Sequence, residues 1–154
     1  MKCPVILDQT VSFGLIFFSF KFFIFFSFPF AEVLCRTLAV GICGSDIHYW
    51  RDGKVGTFIL GNEPFVLGHE TAAEIVRCGK NVLHLKPGDR VAVEPTVSCG
   101  DCDYCLNDQY NLCPQITCHA TPPIDGTLQH YFIHSAKYCF KYDSFNFKKN
   151  FEFN

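Results

Sequence analysis

Four cysteines packed into residues 99–113 constrain this chain more than any other feature. Cys99, Cys102, Cys105 and Cys113 run as C-x2-C-x2-C-x7-C. Spacings this short let one loop wrap a single ion, and four thiolates closing a tetrahedron suit a structural zinc. Gly100 relieves the tight turn between the first two ligands. Two other readings compete: free or disulfide-bonded cysteines in a surface loop, and an iron–sulfur cluster, which also takes four thiolates. The remaining cysteines of the ten, at 3, 35, 43, 78, 118 and 139, are scattered. Metal-bound and free thiols both fit a reducing compartment, so a cytoplasmic location is expected.

The chain has 154 residues, enough for one domain with a real core and too few for two full-sized ones. Its net charge is -2, and no basic stripe stands out; Lys148-Lys149 is a pair rather than a patch. Nucleic acid is therefore not an expected partner. Residues 1–30 read differently from the rest. From Phe13 to Phe30 the text is FGLIFFSFKFFIFFSFPF, apolar all round and without helical or strand period. Four readings compete for it: a membrane span, a signal peptide, a core element, or a segment foreign to the domain. Its length would span a bilayer, but Lys21 near the middle is costly there. Lys2 alone makes a poor signal-peptide n-region. Low complexity beside ordinary globular text favours the foreign segment, so a membrane partner is not expected. Residues 144–154 (SFNFKKNFEFN) read as an unstructured tail.

Residues 31–143 read as the folded domain. Strand character runs over Glu32–Val40, Glu70–Cys78, Arg90–Glu94, Thr127–His134 and Tyr138–Lys141, with turns at 51–54, 79–81 and 87–89. Ser45–Trp50 reads as a short helix with Ser45 as its cap. Short strands, glycine and proline turns and little helix predict a mainly β fold with a few short helices, of barrel or sandwich type.

A second metal signal accompanies the cysteine cluster. Cys43 lies in Gly41-Ile42-Cys43-Gly44-Ser45-Asp46, and His69 and Glu70 adjoin in Gly68-His69-Glu70. Alone, each is ordinary: a free Cys is most often a small buried residue, and a His-Glu pair is most often surface text. Together, one Cys, one His and one carboxylate make an open zinc site with a position left for water or substrate. Such an ion acts as a Lewis acid on an alcohol oxygen. Ser45 and His48 could then pass a proton to solvent; without the metal they are a helix cap and an exposed polar residue.

The motifs GICGSDIHYW, FVLGHE, HLKPGDRVAVEP, the four-cysteine lobe and ATPPIDGTL occur in this order. Over about residues 32–142 the chain resembles the GroES-like catalytic domain of zinc-containing medium-chain alcohol and polyol dehydrogenases. The stretch HYWRDGKVGTFILGNEPFVLGHE resembles most the polyol (sorbitol) branch. The resemblance implies that Cys43, His69 and Glu70 serve a catalytic zinc, and Cys99, Cys102, Cys105 and Cys113 a structural one. It implies proton-relay positions at Ser45 and His48 and a polyol-pocket position at Tyr49. The implied reaction moves a hydride from a small-molecule polyol or alcohol to NAD, giving a ketone.

The chain departs from the family pattern at several points. Ala73 stands where the family has Gly, which requires a negative φ there. Cys118-His119 replaces the expected aromatic before ATPP. The Phe-rich run stands where the family has another strand, and Glu152 does not match the family's downstream zinc-associated Glu. No G-x-G-x-x-G occurs in the 154 residues, so no Rossmann domain is expected within them. Hydride transfer needs the nicotinamide held against the alcohol carbon. The expectation is that NAD binding, homo-oligomerisation and turnover belong to a full-length parent, with this chain inactive alone. A non-enzymatic zinc-binding module and a membrane-anchored protein are the alternative readings.

Overall fold

The structure, a computed structural model, describes residues 31–142. The Phe-rich segment 1–30, with Lys21, and the tail 144–154, with Glu152, lie outside the described residues. Within them the fold is mainly β with few and short helices, as the sequence predicts. Five antiparallel strands form the central sheet: β1 (Glu32–Gly41), β4 (Glu70–Cys78), β5 (Arg90–Val93), β8 (Tyr131–Ser135) and β9 (Cys139–Lys141), in the order β8-β1-β4-β5-β9. Two short hairpins flank it: β2 (Lys54–Val55) with β3 (Phe58–Ile59), and β6 (Thr96–Val97) with β7 (Thr117–Cys118). The helices are α1 (Gly44–Asp52) and α2 (Asp103–Leu106), and two 3-10 turns, Tyr110–Leu112 and Ala136–Tyr138, follow them.

Alternation decides which face of the sheet is buried. Val33 and Cys35 on β1, Ala73 and Ile75 on β4, Val91 and Val93 on β5, and Phe132 on β8 all belong to one buried cluster with Leu85, Ala136 and Cys139. Truncating Ile75, which is fully buried, to Ala would cost about 2–5 kcal/mol. The sheet is rolled rather than flat. Cys35 and Cys139 lie in one buried cluster, near enough for the thiols to interact, yet β1 and β9 stand three places apart in the sheet order. A flat sheet would hold them about 14 Å apart, at about 4.8 Å per strand. Two register shifts in β1, at Leu34/Cys35 and Thr37/Ala39, supply the bend that bulges give. The neighbouring Cys139 thiol, and then burial, push the Cys35 thiol up.

Ala73 fits its strand: it pairs with Thr37 and Val91 and is not among the residues with positive φ. Two expectations need correction. Ser45 is not the cap of α1: Cys43 is, with extended backbone (φ -84, ψ 157), and Ser45 sits two residues into the helix. The expected strand Thr127–His134 begins only at Tyr131. The backbone of 126–128 bonds instead to Val66, Leu67 and Gly68, outside the sheet.

Two candidate metal centres

The cysteine lobe is a local structure. It rises from the β6–β7 hairpin, and α2 places Cys102 at its N-cap and Cys105 in its single turn. Gly100 takes φ +82, a conformation that a side chain would resist. The four Sγ atoms lie within 4.8 Å of one another. Cys102–Cys105 and Cys99–Cys113 are 3.5 Å apart, and Cys99–Cys105 3.8 Å. A disulfide needs about 2.05 Å. Sulfurs about 2.3 Å from one zinc stand about 3.8 Å apart on a tetrahedron. The cluster therefore fits a four-thiolate ion and not two bridges, and every described cysteine is free. The lobe is also electrostatically uneven. The Ser98 hydroxyl brings Cys105 down to about 6, and the Asp101 side chain pushes Cys99 up to about 12. A cation at the centre would remove that second penalty by stabilising thiolates.

The other centre is assembled from distant segments. Cys43 follows β1 and precedes α1; His69 and Glu70 stand at the start of β4. Cys43, His69 and Glu70 each bring one ligand atom within 4.8 Å of the others. β1 pairs Gly41 with Glu70. A Cβ at Gly41 would meet Glu70 Oε2 at 2.4 Å, so the glycine leaves room for that carboxylate. At Gly68 the chain turns with φ +89, and a Cβ there would meet Leu128 Cγ at 2.6 Å and Val40 Cγ1 at 2.9 Å.

Asp46, absent from the sequence-derived site, ties these segments together. It is 3% exposed. Its Oδ2 accepts the Cys43 N–H at 2.9 Å, and its Oδ1 accepts the Gly68 N–H at 2.9 Å. The same Oδ1 lies 3.5 Å from His69 Nδ1. A carboxylate at the Nδ1 edge favours the tautomer whose Nε2 lone pair is free for a metal. The available signal was positional: Asp46 is the third helical residue, where a carboxylate reaches back to the cap N–H.

The remaining predicted residues fall on α1. Ser45 is half-buried and His48 exposed, three positions apart and so neighbours on the helix surface. His48 Nδ1 lies 3.1 Å from Asp52 Oδ2. Arg51 and then His48, by hydrogen bonding, hold Asp52 down at about 2. Tyr49 is buried with Leu60, Phe65 and Leu67. Its ring tilts against Phe65 at 6.2 Å, and Cys118 and Thr121 lie near enough to its hydroxyl to act on it. Burial raises the Tyr49 phenol. The ring thus packs a small core, and only its hydroxyl end faces the loop that carries Cys118.

Among the described residues no helix is long and apolar enough to cross a membrane. Comparison with known proteins extends this geometry. The family described as the alcohol dehydrogenase GroES-like domain matches residues 30–144. The chain is 50% identical over 119 residues to a sorbitol dehydrogenase of Gallus gallus, covering 77% of this chain and 33% of the relative. It is 52% identical over 100 residues to a sorbitol dehydrogenase of Bacillus subtilis (strain 168), covering 65% and 28%. The crystal structure of L-idonate 5-dehydrogenase from Escherichia coli superposes with a TM-score of 0.69 at 31% identity, over 76% of this chain and 34% of that one. The chain thus spans about a third of the length of the relatives it matches. The fold, the ordered motifs and a family match over residues 30–144 agree: this chain belongs to the alcohol dehydrogenase GroES-like domain family.

Proposed function

We propose that this chain is the zinc-binding catalytic portion of a dehydrogenase that oxidises a polyol or alcohol to a ketone with NAD. The observation that carries the reading is the convergence of Cys43, His69 and Glu70 within 4.8 Å, beside a separate four-cysteine lobe. A metal module used only for structure has no need of a three-ligand site with a free position. Cys43, His69 and Glu70 would hold the catalytic zinc, and Cys99, Cys102, Cys105 and Cys113 the structural one. The zinc supplies Lewis acidity that lowers the alcohol pKa. Ser45 takes the alcohol proton, and His48, whose side chain is 56% exposed, passes it to water. Tyr49 borders the polyol through its hydroxyl end.

On this reading NAD binding and homo-oligomer formation belong to a full-length parent of the length of the relatives, of which this chain spans about a third. Nine free cysteines among the described residues suit a reducing cytoplasm. The test is zinc per chain in the purified 154-residue protein and in Cys43→Ser. Two zincs, falling to one in the variant, are expected, with no NAD reduction from sorbitol by either. One zinc in both would leave only the lobe and sink the dehydrogenase reading.

A further inference from the structure

The turn that carries His69 and Glu70 is clamped from outside its own strand. Residues 126–128 lie against residues 66–68 through three backbone bonds: Gly126 N to Val66 O (2.7 Å), Thr127 N to Gly68 O (2.8 Å) and Leu128 N to Leu67 O (2.9 Å). The Asp125 carboxylate accepts the Val66 N–H at 3.0 Å. The segments leave no space between them, since a Cβ at Gly126 would meet Leu67 O at 2.3 Å and Gly68 O at 2.5 Å.

Thr127 sits at the centre of this clamp and is 1% exposed. Its hydroxyl donates to the Gly68 carbonyl at 3.0 Å, directly before His69. It also bonds the Thr71 hydroxyl, directly after Glu70. Its own carbonyl accepts from Thr37 Oγ1 of β1 at 3.2 Å. The Thr127 side chain thus brackets both ligands, and its main-chain carbonyl ties the same residue to the strand that leads to Cys43. A hydroxyl has one proton and two lone pairs, so it can donate to Gly68 and accept from Thr71 at once. A methyl in its place would leave the buried Thr71 hydroxyl without this partner and the Gly68 carbonyl with only the Thr127 N–H, a cost above that of losing a surface contact.

We infer that Thr127 is a positioning residue for the Cys43–His69–Glu70 centre, setting its metal affinity through the turn it holds. The inference rests on the metal reading proposed above. Residues that orient ligands from outside the coordination sphere commonly govern affinity by about 10- to 100-fold.

The experiment titrates the full 154-residue chain with cobalt(II), whose absorption bands separate a four-thiolate site from a Cys–His–carboxylate one. Thr127→Val keeps the shape and removes the hydroxyl; Thr127→Ser keeps the hydroxyl. Thr127→Val should bind cobalt about 10- to 100-fold more weakly at the open centre, with the lobe unchanged. Thr127→Ser should stay close to the wild type. Equal open-centre affinity in wild type and Thr127→Val would overturn this inference and leave the metal reading intact. Parallel weakening of both sites in Thr127→Val would also overturn it, as the mark of a role in folding alone. A wild-type chain that takes cobalt only at the lobe would overturn the inference and the metal reading together.

Discussion

The two candidate metal centres are built on opposite plans. The lobe takes its four ligands from residues 99–113, on one hairpin and one helical turn. The open centre takes Cys43 from the end of β1 and His69-Glu70 from the start of β4, and depends on Asp46 and the 125–128 segment to hold them. A local site needs turn chemistry and little else. A site made from distant segments inherits its geometry from the whole sheet, so residues that touch no metal can damage it. The difference suits the proposed division of labour: a closed four-thiolate ion braces a loop, while an open ion must keep a free position and so needs support from behind.

Breaking the lobe should give the largest effect and spare the open centre. A structural zinc in small peptides contributes about 10–16 kcal/mol, or roughly 3–4 kcal/mol per ligand. Cys105→Ser should therefore weaken the lobe by about 100- to 1,000-fold. Competition with a chromophoric chelator would measure it, and one zinc should remain bound. Loss of both zincs would mean that the open centre leans on the lobe, and the contrast would fail.

Asp46→Asn tests the opposite half. The amide keeps one acceptor oxygen and turns the other into a donor, so it cannot serve Cys43 N–H, Gly68 N–H and the His69 ring together. Open-centre affinity should drop by about 10- to 100-fold, with the lobe unmoved. An unchanged open-centre affinity would reduce Asp46 to a helix-capping residue.

The contrast between local and distant also explains what the sequence could reveal. Strand β4 coincides with its predicted span, because Thr71, Ala73 and Ile75 alternate inward over a long run. The four-cysteine spacing was legible because the ligands and their turns are neighbours in the chain. Cys43, His69 and Glu70 were legible only through the order of several motifs, since no spacing rule joins residue 43 to residue 69. Asp46, Gly41 and Thr127 were missed for a physical reason: each acts by close approach to a segment remote in sequence. The expected strand at Thr127 failed likewise. Its alternation reports burial, but its backbone partners are Gly68 and Leu67 rather than a sheet neighbour. The Ser45 cap failed because Ser is the usual capping residue, whereas here the extended Cys43 and the carboxylate of Asp46 end the helix.

A buried histidine pair links the two regions and should make them fail together in acid. His119 Nδ1 donates to the Asp125 carbonyl at 2.7 Å, next to the clamp, and His134 Nε2 donates to the Glu94 carbonyl at 2.8 Å, on the path into the lobe. The facing nitrogens are 3.1 Å apart. A third proton would complete that contact but would bring a charge into the core. Burial wins: it lowers His119, and with the neighbouring imidazole it brings His134 down to about 4. The Asp125 main-chain contact and charge oppose this at His119 without reversing it. A depressed folded-state value means the stabilisation is present above about 6.5, the unfolded value, and is lost as pH falls towards 4. Between pH 7 and 5 the His134 contribution should fall by about 2 kcal/mol. His134→Gln should therefore show a flatter denaturant midpoint over that range, with metal-ligand protonation common to both proteins. Parallel pH profiles would show that the pair takes up its proton without cost.

Gly41→Ala should give the smallest effect and asks whether Glu70 holds the metal at all. The new Cβ meets the Glu70 carboxylate at 2.4 Å and its Cβ at 3.1 Å. The carboxylate is the far end of a flexible side chain and can swing away, so folding should lose no more than about 1 kcal/mol. What changes is where the oxygen can go. If Glu70 is a ligand, open-centre affinity should fall by about tenfold while the lobe and the unfolding midpoint hold. If affinity is unchanged and only the midpoint moves, Glu70 is a strand-edge carboxylate, and Cys43 and His69 need a third ligand from elsewhere. Because the glycine is paired with Glu70 across β1 and β4, the substitution acts on the Glu70 side chain, at its carboxylate first, and meets neither Asp46 nor Thr127 among its nearest atoms.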